Sequence, residues 1–164
     1  MATKDITLRV NGSNRRTSIP SHLTLLQALR DLGYHDVKNG CEKGDCGACA
    51  VLLDGKAVNS CMVLAWEANG REVVTNSGLG TLESPHPLQE AFADTGAVQC
   101  GFCTGGLIIA AKSLLDQKAN PTEPEIREAL SGNLCRCGGY GQIVKAVQIG
   151  AEKMRSVPSG RGVP

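Results

Sequence analysis

Eight cysteines punctuate this 164-residue chain, and they fall into two sets of four, one in each half. The first set is Cys41, Cys46, Cys49 and Cys61, spaced C-x4-C-x2-C-x11-C. The second is Cys100, Cys103, Cys135 and Cys137, spaced C-x2-C-x31-C-x1-C. At about 5% Cys the chain is too poor in the residue for a small disulfide scaffold. Its N-terminus lacks the apolar stretch of a secretory signal, so a reducing, cytoplasmic setting is expected, where clustered thiols act as metal ligands or nucleophiles.

The first set has the C-x4-C-x2-C opening of plant-type [2Fe–2S] ferredoxins. Gly40, Gly44 and Gly47 interleave with its ligands in GCEKGDCGAC. Such glycines allow left-handed backbone and let N–H groups approach an anionic cluster. The competing reading is a four-cysteine zinc site, which usually presents two short-spaced pairs; here three ligands lie within nine residues. A Rieske centre is excluded, because His22, His35 and His86 lie outside the ligand pattern. The second set is ambiguous by spacing alone: zinc, reactive thiols and a second cluster all remain open. Its placement favours the cluster, since Cys100–Cys103 opens one apolar helix and Cys135–Cys137 precedes another, so two positive helix ends would face one anionic group.

The halves differ in periodicity. Ile6, Leu8 and Val10 alternate, Asn11-Gly12 is a hairpin turn, and Arg15 to Ile19 can return as the partner strand. Thr24 and Gln27 form a capping box ahead of a helix that Gly33 ends. Ala50–Leu53, Asp54-Gly55 and Ala57 onward predict a second hairpin, and residues 72–75 one more strand. The breakers Gly78, Gly80, Pro85 and Pro87 mark a linker. Helices are predicted over 85–95, 104–117, from Pro121-Thr122 to about 131, and from about Ile143 to Met154. The expectation is an α+β chain with a β-rich N-terminal domain, residues 1–78, a helical domain, residues 79–155, and a loose tail, residues 156–164.

Charge narrows the function classes. With 17 basic and 16 acidic residues the net charge is +1, which gives no bulk attraction for nucleic acid or anionic lipid. No apolar run approaches a membrane span. No complete G-x-G-x-x-G or Walker loop occurs, so no nucleotide site is expected on the chain. Aromatics are only 3% of residues, and the clusters with their glycine loops are expected to occupy the interior that rings would otherwise fill.

The segments GCEKGDCGAC, AVQCGFCTGG and SGNLCRCGGYGQIVKAV resemble the iron–sulfur subunit of molybdenum hydroxylases, the xanthine dehydrogenase and aldehyde oxidoreductase family, over roughly residues 3–153. The resemblance implies two [2Fe–2S] clusters. The first lies in a plant-ferredoxin-like (β-grasp) domain with Cys41, Cys46, Cys49 and Cys61 as ligands. The second lies in a four-helix bundle with Cys100, Cys103, Cys135 and Cys137 as ligands. It implies an oxidoreductase subunit with no substrate-converting site of its own. Electrons would pass from a molybdopterin cofactor on a large subunit, through the second cluster and then the first, to FAD on a medium subunit. The assembly implied is a heterotrimer or a dimer of heterotrimers. Gln99 and Cys137 are implied to touch the pterin across the subunit boundary. Two positions depart from the family pattern: Gly105 stands where Pro is usual, and Gly138 where Thr is usual. Arg136, between two thiols, could offset cluster charge. The rival functions are a free-standing two-cluster ferredoxin and a zinc-stabilised interaction module.

Overall fold

The computed structural model describes residues 3–156. The predicted tail falls, from residue 157 onward, outside the described residues. β1 (Thr3–Val10) and β2 (Ser13–Pro20) form an antiparallel hairpin. Its turn sits at Asn11 and Gly12, with φ of 49° and 76°, the left-handed pair that a type I′ turn requires. Helix α1 (Leu25–Asp31) starts at the Thr24–Gln27 capping box and stops before Gly33, φ 93°. β3 (Ala50–Leu53) and β4 (Lys56–Asn59) form the second hairpin around Asp54-Gly55, and β5 (Glu72–Val74) completes the sheet. The strand order is β2-β1-β5-β3-β4, with β1 and β5 parallel and the other pairs antiparallel.

Helices α2 (Pro87–Asp94), α3 (Thr104–Gln117), α4 (Glu123–Ala129) and α5 (Tyr140–Ser156) follow in the predicted order. α3 has the bounds that the sequence predicts. The predicted helix over 85–95 begins two residues later, because His86 caps it: the Leu88 N–H donates to His86 Nδ1 at 3.2 Å. α2 lies close against α5, where a methyl on Gly150 would fall 2.6 Å from Leu88 Cδ2. α4 opens at Thr122, whose hydroxyl and N–H both donate to Glu125 at 2.8 Å.

The two halves share a strand. Val51 and Leu53 of β3 face the first core, with Leu8, Val10, Leu25, Leu29 and Val73. Ala50 and Leu52 face the second, with Leu107, Ile108, Ile109, Ile143 and Val147. That is why the strand reads AVLL without alternation: helices cover both of its faces. Both cores are aliphatic, and Phe92 is the one aromatic among the largest fully buried side chains. The interior is therefore not built around the ligand sets. Cys49 and Cys61 edge the first core and Cys103 the second, while Cys100 and Cys137 are exposed.

Candidate metal centres

The first ligand loop runs from Gly40 to Cys49 between α1 and β3, and Cys61 joins it from a single 3-10 turn, Ser60–Met62, after β4. Left-handed backbone at Glu42, Gly44 and Gly47 (φ 54°, 84° and 69°) curls the loop inward. The Lys43 N–H consequently donates to Cys41 Sγ at 3.4 Å. Backbone N–H groups of Cys46 and Asp45 also converge on Cys41, that of Ala48 on Cys46, and that of Gly44 on Cys61. A methyl on Gly40 would fall 2.8 Å from Cys46 Sγ. The cradle is pinned from outside: the Ser60 hydroxyl donates to the Cys49 carbonyl at 2.7 Å, and Asn59 Nδ2 to the Gly44 carbonyl at 2.9 Å.

The second set is held at two helix starts. Cys103 is the N-cap residue of α3, after a turn at Gly101 with φ 81°. Cys135 and Cys137 lie just before α5, with Gly138 at φ 76°. The Cys135 N–H donates to the Tyr140 hydroxyl oxygen at 2.8 Å, tying the loop to the first residue of that helix. Gln99 is exposed beside this loop, its Nε2 3.5 Å from where a Gly139 methyl would lie. Arg136 is exposed between the two thiols. A methyl on Gly105 would meet only the Asp36 carbonyl, at 3.4 Å, and the Asn76 side chain, so that departure leaves the ligands untouched.

All eight thiols are free, and in each site they approach as two pairs: Cys41 with Cys46, Cys49 with Cys61, Cys100 with Cys137, and Cys103 with Cys135. Two thiolates on each of two irons is what a [2Fe–2S] core requires, whereas one zinc ion needs all four sulfurs around a single point. The donor chemistry also suits an anionic cluster. The Lys43 N–H, followed by that of Cys46, lowers the Cys41 thiol to about 7. Burial pushes Cys61 up to about 11 and Cys103 up to about 12, in each case reinforced by the neighbouring thiol. Iron would offset that burial penalty, because a coordinating thiol is deprotonated outright.

The two sites touch. The Leu134 N–H donates to the Cys46 carbonyl at 3.0 Å, joining the residue beside a second-set cysteine to the backbone of a first-set one. Asn133 Nδ2 donates to the Gly47 carbonyl, also at 3.0 Å. Sequence reasoning missed Asn133, Leu134, Ser60 and Tyr140. A capping or turn pattern betrays neither a partner 86 residues distant nor a phenol that serves a backbone N–H.

Two family models cover most of the chain in order. A 2Fe-2S iron-sulfur cluster binding domain matches residues 8–77, and a [2Fe-2S] binding domain matches residues 75–148. One component of the nicotinate dehydrogenase of Pseudomonas putida is 46% identical over 92% of this chain and 96% of its own. The xanthine dehydrogenase iron-sulfur-binding subunit of Escherichia coli O157:H7 is 44% identical over 88% and 92%. The solved quinoline 2-oxidoreductase of Pseudomonas putida 86 superposes with a TM-score of 0.89 at 40% identity, covering 93% of this chain and 96% of that one. The aldehyde oxidoreductase of Desulfovibrio desulfuricans also reaches 0.89, at 42% identity, but there the match spans only 17% of a much longer chain.

Proposed function

The chain belongs to the iron–sulfur subunits of the molybdenum hydroxylase family, and from that premise we propose how it serves a larger oxidoreductase. Residues 1–78 would hold one [2Fe–2S] cluster through Cys41, Cys46, Cys49 and Cys61. Residues 79–155 would hold the other through Cys100, Cys103, Cys135 and Cys137. Each cluster, when bound, supplies a one-electron redox centre. The protein supplies the N–H cradles, the burial of Cys49, Cys61 and Cys103, and the Cys46–Leu134 hydrogen bond between the ligand loops.

The observation that carries the reading is the unequal exposure of the two sites. Cys100 and Cys137 are exposed, and the segments that carry the second set also expose the apolar Val98, Phe102, Leu134 and Tyr140, at 40%, 47%, 56% and 39%. Exposed apolar side chains beside exposed ligands call for a partner surface. That partner would be the large molybdopterin-carrying subunit, with Gln99 and Cys137 against the pterin edge. Electrons would leave by the first site toward FAD on a medium subunit, in a heterotrimer or a dimer of heterotrimers. Substrate choice belongs to the large partner. No helix of the described residues is long and apolar enough to cross a membrane, and we place the assembly in the cytoplasm.

Native purification followed by mass spectrometry and EPR tests this reading. It requires two larger polypeptides that copurify and two distinct S = 1/2 signals after reduction. A lone 17.2 kDa species would leave a free ferredoxin instead. Zinc without EPR signals would leave an interaction module.

A further inference from the structure

We propose that Asn133, wedged between Gly47 and Gly106, is the positioning residue that sets the separation of the two cluster sites and thereby the rate of electron passage between them. The inference deepens the relay reading and rests on it.

Three segments meet at this point, and each continues directly into ligands. Gly47 lies between Cys46 and Cys49, Gly106 three residues after Cys103, and Asn133 two residues before Cys135. The contact leaves no room for a methyl group. On Gly47 it would fall 2.4 Å from Asn133 Nδ2 and 2.5 Å from the Gly132 carbonyl. On Gly106 it would fall 2.2 Å from the Gly47 carbonyl oxygen. Asn133 is only 6% exposed, and its amide reaches across the boundary to the Gly47 carbonyl. That carbonyl also accepts the Ala50 N–H at 3.1 Å, so both of its lone pairs are engaged.

A donor of this length holds the loops at one spacing. An aspartate would set oxygen against oxygen, and a shorter side chain would leave a buried acceptor without this partner. The next residue, Leu134, makes the bond to Cys46, so any slack at Asn133 is passed straight into a hydrogen bond that joins the ligand loops. Electron tunnelling falls exponentially with distance, which makes this spacing a kinetic quantity as well as a structural one. An ordinary stabilising hydrogen bond would affect melting alone. A positioning residue must also alter the communication between two intact clusters.

The test uses the full chain with both clusters, reduced with dithionite. Iron content and Mössbauer spectra confirm cluster integrity. Low-temperature EPR reads the magnetic splitting between the reduced clusters, and hydrogen-exchange mass spectrometry reads the Leu134 amide. The native protein should show mutual splitting and a protected Leu134. In Asn133→Ala and Asn133→Asp the splitting should narrow, and Leu134 should exchange at least about tenfold faster. Exchange over β3 should stay as in the native protein. If either variant loses a cluster, Gly106→Ala, which keeps the amide and forces the gap open, carries the same readouts. Native splitting and Leu134 protection in a variant with both clusters intact would overturn the proposal. Absence of two spin signals in the native protein would instead break the relay reading, and it would be seen before any variant is made.

Discussion

The two cysteine loops solve the same chemical problem in opposite settings. The first is folded into its own domain: Cys49 and Cys61 are buried, and hydrogen bonds from Ser60 and Asn59 brace the loop from behind. Its exposed residues Glu42, Lys43 and Asp45 are charged, and the half-exposed Phe102 ring and Met62 lie against its glycines. The second is hung on two helix ends, with two of its four cysteines exposed and the apolar Val98 and Tyr140 exposed on the same segments. Exposed thiol ligands flanked by apolar side chains suit a surface that is permanently covered. On the proposed function, the contrast means that a neighbour would complete the second site, while the first is the more enclosed by its own domain.

The strongest way to break this comparison is to remove one ligand from each loop. Cys49→Ser should lose the first cluster and loosen the core around Leu53 and Cys61, because the thiol is part of that core. Cys137→Ser should lose the second cluster yet leave the first cluster's EPR signal and the sheet intact. Iron analysis with circular dichroism distinguishes the two, and equal structural damage from both would erase the difference between the sites.

Two left-handed glycines sharpen it further. Gly47 and Gly138 have similar φ, 69° and 76°, but a methyl on Gly47 meets Asn133 whereas one on Gly138 meets nothing within 4 Å. Gly138→Ala should therefore cost only the backbone strain, about 1 kcal/mol. Gly47→Ala adds overpacking and should cost about 2–4 kcal/mol. Denaturant unfolding measures both. The same result bears on the departure at Gly138: open space beyond it means that a larger residue there is resisted by backbone conformation and not by crowding.

Next in size are the exposed apolar side chains. Phe102→Ser with Leu134→Ser should leave both EPR signals unchanged and weaken association with the large subunit by about 1–3 kcal/mol. Lys43→Glu beside the first site should alter the salt dependence of the flavin subunit's association more than its strength.

The smallest effect lies away from both loops, at the cap of α2. Burial holds the His86 imidazole below its ordinary 6.5, and Lys112 adds to this while Asp116 opposes it. The neutral ring accepts the Leu88 N–H, so its contribution is fully present above pH 6.5 and is lost as pH falls through the lower folded value. Thermal melts from pH 7 to 5 should show that decline. His86→Asn, which keeps a capping acceptor without titrating, should flatten it.

Much of this architecture is legible in the sequence because local rules govern it. The Asn11-Gly12 and Asp54-Gly55 turns, the Thr24 cap and the apolar run of α3 each express a preference over a few residues. The cysteine spacing likewise announces two ligand sets. What the sequence conceals is how the halves join. β3 serves both cores, and its unbroken AVLL pattern is the only trace of that. The Asn133–Gly47 bond links residues far apart in the chain, and the tight fit at Gly106 depends on backbone approach, which leaves no pattern in the sequence. His86 escapes notice because imidazole is not among the usual helix caps.

One chain, on this reading, holds two [2Fe–2S] clusters close enough to act as a single relay. Low-temperature EPR of the dithionite-reduced holoprotein tests it most directly. Two distinct S = 1/2 signals of equal intensity that split one another are expected. A single signal, two signals with no mutual splitting, or zinc in place of iron would contradict it.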